Sequence, residues 1–403
     1  MKDTIIFISK DALRKEALSC FGNSWVKTSN IDELAAKGTI YNQFYTAGGS
    51  TAMAFTAMAT GSFLFESGRK LYDGKEAEVE TGSNIFDRLY DLGYSVHIAW
   101  DQSYTDFAKN HFKCEGKHTI IHSLNSIIPR HTKHISGRFD DLTYDEEETE
   151  KGMCLVRNLF DEIKSIDGKK FLWLHLPHVF RGRNSYDSDL DIFDRIVGLA
   201  RSMFGDKTIW ISADHGQMNG IKGKFSYGYD VENPVMQIPM IAPRIDGKPC
   251  IDFPVSNTQL AAVFGLEPLK PLEFVYCETA YYAQPQRKMA IVHGDFKLVY
   301  DKRTAKFELY DLKWDKGENL NLFYPEFFDT DRRCWYSLNQ RFYYPHWNEA
   351  LKERGILLAE WKRVWKNGCF HEELKQRALF EAKRIYMKLH SAKPGNNIIN
   401  IGK

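Results

Sequence analysis

The sequence predicts an α/β fold, a mostly parallel central sheet sandwiched by helices, followed by a small antiparallel subdomain and a helical extension. Three observations carry this. Short apolar runs rich in β-branched residues recur at 4–9, 95–100, 170–175, 208–213 and 237–242, and strands buried on both faces read this way. Segments with helical spacing separate them. After about residue 285 the pattern changes to short alternating stretches divided by close turn signals, the signature of an antiparallel meander.

Taken in order, the first run ends at Ser9 and is followed at once by Lys10-Asp11. A helix over 31–37 starts behind Ser29-Asn30, another over 83–92 ends at Gly93, a third covers 147–166, and a fourth covers 189–204 and ends at Gly205. Small residues at 47–50 lead into a helical stretch over 52–59, which puts Ser50 or Thr51 at a helix start. The meander takes 289–293, 296–300 and 307–312, broken at Gly294-Asp295 and at 301–304. From about 325 the chain is helical and aromatic, with a loose tail at 394–403. The expected division is a catalytic α/β domain over 1–285, an antiparallel β subdomain over 286–324, and a helical, aromatic and basic extension over 325–403.

Composition excludes unusual chain types. The 403 residues are 43% hydrophobic and 14% aromatic, enough for a substantial core and unlike a disordered or collagenous chain. Lys and Arg number 54 against 53 Asp and Glu, so no nucleic-acid partner is expected from bulk charge. Seven dispersed cysteines without CxxC spacing read as reduced thiols. The N-terminal apolar run spans only four residues and no run of 18 follows, so the expectation is a soluble, cytoplasmic protein without signal peptide or transmembrane segment.

Chemistry concentrates where strands end. Asp11 follows the first strand and Asp214-His215-Gly216 follows the run at 208–213. Carboxylates and an imidazole from two strand ends suit one divalent metal ion, with Gly216 leaving room for close approach. Each alone has a plainer reading as a turn former or helix cap; their combination carries the case. The histidines at 111, 118, 122, 131 and 134 are irregularly spaced and read as a solvated loop.

Five segments in order resemble the sulfatase-like branch of the alkaline phosphatase superfamily. Ile8 to Arg14 with Leu18 to Gly22 is similar to its opening strand and metal-binding Asp; Thr28 to Gly38 resembles its T-P-N-I-D-x-L-A-x-x-G signature, with Ser29 for proline. Thr51 to Gly61 falls at the nucleophile segment, His175-Leu176-Pro177-His178 resembles H-x-P-H, and Asp214-His215-Gly216 resembles the second metal motif. The segments 297–300, 308–312 and 318–322 are similar to the C-terminal subdomain, so the likeness spans roughly residues 3 to 323.

The resemblance implies one divalent ion (Mn, Zn, Mg or Ca) held by Asp11, Thr51, Asp214 and His215, and catalysis by Thr51 with His178 at the leaving group. Lys224, Lys222, Arg14, His175 and Tyr104 are the expected substrate contacts. Departures are informative: Met53 and Phe55 replace the family's proline and arginine, Ile221 stands where a histidine is common, and Lys10-Asp11 replaces paired Asp. Threonine cannot become the formylglycine of sulfatases, and phosphoethanolamine transferases of the superfamily carry it. The implied activity is therefore a metal-dependent phosphoester hydrolase or phosphoryl-group (phosphoethanolamine-like) transferase acting through phospho-threonine. The alternatives are a sulfuric ester hydrolase without formylglycine and a catalytically inactive homologue that binds anionic glycans. The substrate is a small-molecule, glycan or lipid phosphoester. Over 351–393 eleven Lys or Arg meet five Glu, which leaves open a contact with an anionic membrane surface or a phosphorylated glycan or lipid acceptor, and equally a helical extension packed on the core or forming a subunit contact in an oligomer.

Overall fold

The computed structural model describes residues 3–66, 84–100, 104–105, 119–123, 146–177, 183–225, 227–279, 288–324, 326–329, 334–337 and 344–367. Its central sheet contains β1 (Thr4–Lys10), β2 (Thr39–Tyr41), β4 (Ser95–Trp100), β5 (Thr119–Ser123), β6 (Lys170–Leu176), β7 (Ile209–Ala213), β8 (Met240–Ala242) and β9 (Cys250–Ile251), with β3 (Phe44–Tyr45) and β10 (Val255–Ser256) forming a separate two-residue ladder. The order is β5-β4-β6-β1-β7-β8-β2-β9. All neighbours pair in parallel except at β8, which runs against both β7 and β2.

The expected α/β class is the one observed. Ile5 to Ile8, Phe171 to Leu174 and Ile209 to Ile211 are essentially fully buried, as central strands covered on both faces require. Helices α1 (Ser29–Lys37), α2 (Thr51–Thr60), α3 (Ile85–Asp91), α4 (Glu146–Ser165) and α5 (Arg183–Phe204) accompany the sheet. Asn84 caps α3 by accepting the N–H groups of Phe86 and Asp87. The start of α1 is held differently from the Ser29-Asn30 cap expected: Asp194 of α5 accepts the backbone N–H groups of Asn30 and Ile31. A carboxylate 164 residues away thus satisfies donors that local sequence leaves open.

Three differences have local causes. The run expected at 237–242 contributes only Met240–Ala242, because Pro239 has no N–H for a ladder. Strands β2 and β9 are three and two residues long, too short for a periodic signal. The antiparallel sheet of β11 (Val275–Glu278), β12 (Lys288–His293), β13 (Phe296–Asp301) and β14 (Lys306–Asp311) takes in a strand upstream of residue 286.

Further on, β15 (Glu326–Asp329) pairs with β16 (Cys334–Ser337). Helix α6 (Trp347–Asn367) lays Ala350, Leu357 and Val364, with the partly buried Trp361 and Trp365, against the β12–β13 face. Lys352, Lys362 and Arg363 lie on its exposed side. Residues 368–393 of the basic segment lie outside the described residues. No helix among the described residues is long and apolar enough to cross a membrane, and Cys20, Cys154, Cys250 and Cys277 are free thiols.

Candidate active site and metal centre

Three adjacent central strands, β6, β1 and β7, deliver His175, Asp11 and Asp214-His215 to one end of the sheet. This is the carboxyl-end location expected for an α/β ligand site. The cluster is built by backbone pairing. The Asp11 N–H donates to the Leu176 carbonyl at 2.9 Å, and left-handed Ala12 (φ 56°) turns its own N–H onto Asp214 Oδ1 at 3.1 Å. Ligand atoms of Asp11, His175 and Asp214 all lie within 4.8 Å of one another.

His215 belongs to the same cluster. Its Nε2 is 3.6 Å from Asp11 Oδ1 and 3.5 Å from Asp214 Oδ2. Its Nδ1 lies 2.9 Å from the Gly216 carbonyl, which only accepts, so the proton sits on Nδ1 and the Nε2 lone pair faces the carboxylates. Gly216 itself is packed against backbone: a Cβ there would meet the Pro234 carbonyl oxygen at 2.0 Å. His175 is positioned from behind by Ser9, its ladder partner, whose Oγ is 2.9 Å from His175 Nδ1 and accepts the Trp173 indole N–H at 2.8 Å.

This donor set fits a divalent cation. Asp11 is 7% and Asp214 0% exposed, and buried carboxylates this close repel unless a positive charge joins them. Asp214 Oδ1 accepts two backbone N–H groups, whereas its Oδ2 is buried with no hydrogen-bond partner. An oxygen so placed, facing two imidazole nitrogens and a second carboxylate, is a ligand position.

Thr51 opens α2, and Ser50 before it makes no side-chain cap bond. Thr51 Oγ1 lies 3.5 Å from His215 Nε2 and accepts the Tyr104 hydroxyl at 3.1 Å. Burial, then the negative charge of Asp11, push the Tyr104 phenol well above its ordinary value, so it remains a donor. Phe55, one turn on, packs between Trp100, Trp173 and the edge of His175, at ring-centroid distances of 4.3, 5.0 and 4.7 Å. An aromatic wall therefore stands where the family resemblance implied a guanidinium.

Asp11, Thr51, Asp214, His215 and Tyr104 thus meet in one centre, and His175, expected only as a substrate contact, is among its ligand-bearing residues. Lys224 is held by Asp230 and Glu232 at 2.5 and 2.8 Å, and Lys222 donates to the Glu318 carbonyl at 2.6 Å. Arg14 donates its backbone N–H to Tyr186 and sits 4.0 Å from Glu16. His178 and residues 111, 118, 131 and 134 lie outside the described residues. Sequence reasoning missed Ser9, though strand period two puts it on the Asp11 face. It also missed Tyr227, whose ring centroid lies 4.2 Å from that of His215 and which no local pattern marks.

Residues 3–194 match the sulfatase family model. That match covers just under half of the chain, and the fold is the one that solved sulfatases and phosphonate monoester hydrolases share. An ulvan-active sulfatase from Formosa agariphila is 22% identical over 259 residues, which are 60% of this chain and 48% of that protein, so the match spans about half the relative's length. A putative sulfatase structure from Bacteroides thetaiotaomicron superposes with TM-score 0.64 and 13% identity, covering 90% of this chain and 93% of that one. The phosphonate monoester hydrolase of Agrobacterium radiobacter superposes with TM-score 0.64 and 14% identity, covering 90% and 96%. Sulfatase-like proteins with this fold therefore include enzymes named for sulfur and for phosphorus esters.

Proposed function

We propose that this sulfatase-like chain is a metal-dependent phosphoester hydrolase or phosphoryl-group transferase that works through Thr51. The observation that carries the reading is Thr51 Oγ1 itself, at the first position of a buried helix, beside His215 Nε2 and under the Tyr104 hydroxyl. Asp11, Asp214 and His215, with His175, would hold one divalent ion, which supplies positive charge that stabilises the threonine alkoxide and the ester oxygens.

Thr51 attacks phosphorus as its hydroxyl proton passes to water, the ester P–O bond breaks, and the departing oxygen takes a proton that, by resemblance, His178 gives. Water or an acceptor hydroxyl then cleaves the Thr51 phosphoester. The free N–H groups of the first turn of α2 favour negative charge beside Thr51. Tyr104 orients the Thr51 lone pairs, and Phe55 with Trp100 keeps water from that side of His175.

Thr51→Ala should lower turnover of a phosphodiester or phosphonate monoester by at least about a thousandfold while leaving metal content unchanged. Full activity in that variant would overturn the reading. A sulfuric ester hydrolase with an unmodified threonine is the second reading, favoured by the sulfatases among its relatives. Rates for the sulfate and phosphate esters of one aryl alcohol separate the two, and faster sulfate cleavage selects the second.

A further inference from the structure

The His215 ring is pinned at one nitrogen. Its Nδ1–H donates to the Gly216 carbonyl at 2.9 Å, and a ring held there can still tilt about that bond. The Nε2 lone pair meets a cation only at the right tilt, so the ring face needs a second support. Tyr227 supplies it: its ring lies over the His215 imidazole with centroids 4.2 Å apart and planes inclined by 32°, nearer parallel than edge-on. Tyr227 also packs against the apolar cluster that includes Met218, Val231, Val235 and Met236.

Tyr227 lies in neither helix nor strand, and side chains from three places fasten the backbone on either side of it. Lys224, before Tyr227, donates to Asp230 Oδ2 at 2.5 Å and to Glu232 Oε1 at 2.8 Å, both after it. Lys288 of β12 donates to the other Asp230 oxygen at 2.9 Å. The buried Gln217 amide, one residue past Gly216, donates to the Phe225 carbonyl at 3.3 Å. Burial would raise the Asp230 carboxyl, but Lys288 and then Lys224 hold it below its ordinary range, so the clasp is ionic. Two of the three Lys224 donors are thereby spent beside Tyr227.

We propose that Tyr227 is a positioning residue of the metal centre, seating the His215 imidazole for its cation, and that Lys224 acts through Tyr227 by clasping the backbone around it instead of contacting the transferred group. The inference rests on the ligand set proposed above and holds whichever ester is cleaved.

Competition of a chelator with the full chain, loaded in turn with manganese, zinc, magnesium or calcium ions, gives the Kd of the ion held most tightly, a readout independent of turnover. Tyr227→Leu should weaken that ion at least about tenfold, the scale of lost support behind a metal-ligating histidine. Tyr227→Phe keeps the ring and should retain the parental affinity. Lys224→Met should reproduce the loss, and Lys224→Arg should restore most of it. The double variant Tyr227→Leu/Lys224→Met should bind no more weakly than Tyr227→Leu, because both changes act through one contact. Parental affinity in Tyr227→Leu overturns the proposal, as does equal weakening by Leu and Phe, which would make the hydroxyl responsible. Additive losses in the double variant overturn the role of Lys224. His215→Ala separates the premise from the inference. If it weakens the ion while Tyr227→Leu does not, the ligand set stands and this inference alone falls. If it leaves the Kd unchanged, or if none of the four ions binds, both fall.

Discussion

Asp214 shows how one side chain divides its work. Oδ1 is consumed by the backbone of Ala12 and His215, which locks the carboxylate, and Oδ2 is left for a cation. Asp214→Asn keeps much of the first role and removes the charge of the second. Mass spectrometry of the native protein should find one divalent ion per chain in the parent and a reduced content in the variant; equal metal content would refute the ligand assignment. Chelation should also lower the melting temperature, since an ion present at a thousand times its Kd contributes about 4 kcal/mol and its removal leaves two buried carboxylates facing each other. Phe55 is a structural counterpart: fully buried among Trp100, Trp173 and His175, its replacement by Ala should cost about 3–5 kcal/mol in denaturant titration.

Between elements, buried polar pairs join strands to helices. Lys10, at a position where paired-Asp relatives carry a metal ligand, instead forms an ion pair with Asp189 that ties β1 to α5; the two side chains are 1% and 2% exposed. Lys10→Met leaves Asp189 without its ammonium partner and should destabilise by about 3–5 kcal/mol, read as a shift in urea midpoint. At the sheet edge, His97 of β4 stacks on His122 of β5, with Nδ1 3.0 Å from the other ring's Nε2. Burial, then the neighbouring imidazole, lower His97 from 6.5 to about 4. The unfolded chain therefore binds the proton first. The stability is complete above pH 6.5, falls as pH drops from 6.5 toward 4, and is lost below both values, by up to about 3 kcal/mol. Replacing His97 with Asn should flatten that part of the stability–pH curve, and an unchanged curve would exclude this pair as its source.

Across the whole molecule, α6 closes the antiparallel sheet with Leu357 and Val364 buried. Part of the basic extension thus serves as a structural cover, whatever residues beyond 367 do. Leu357→Ala should cost about 2–5 kcal/mol in thermal unfolding; a loss under 0.5 kcal/mol would mean the helix is not part of the folded unit.

Strands β1, β4, β6 and β7 were legible because each is a continuous apolar run, and such runs signal burial without needing a partner. Asp11, Asp214 and His215 were legible because they follow those runs directly, and Thr51 because small residues lead into its helix. Sequence by itself therefore determined the fold class and the chemical character of the strand ends. Tertiary structure decided the rest: that His175 lies within ligand distance of Asp11 and Asp214, that Asp194 caps α1, and that Lys224 is held by Asp230 and Glu232. Hydrophobic periodicity is a property of neighbours along the chain, whereas a charge or hydrogen-bond partner contributed from 6 to more than 160 residues away is set only when the sheet order brings strands and loops together.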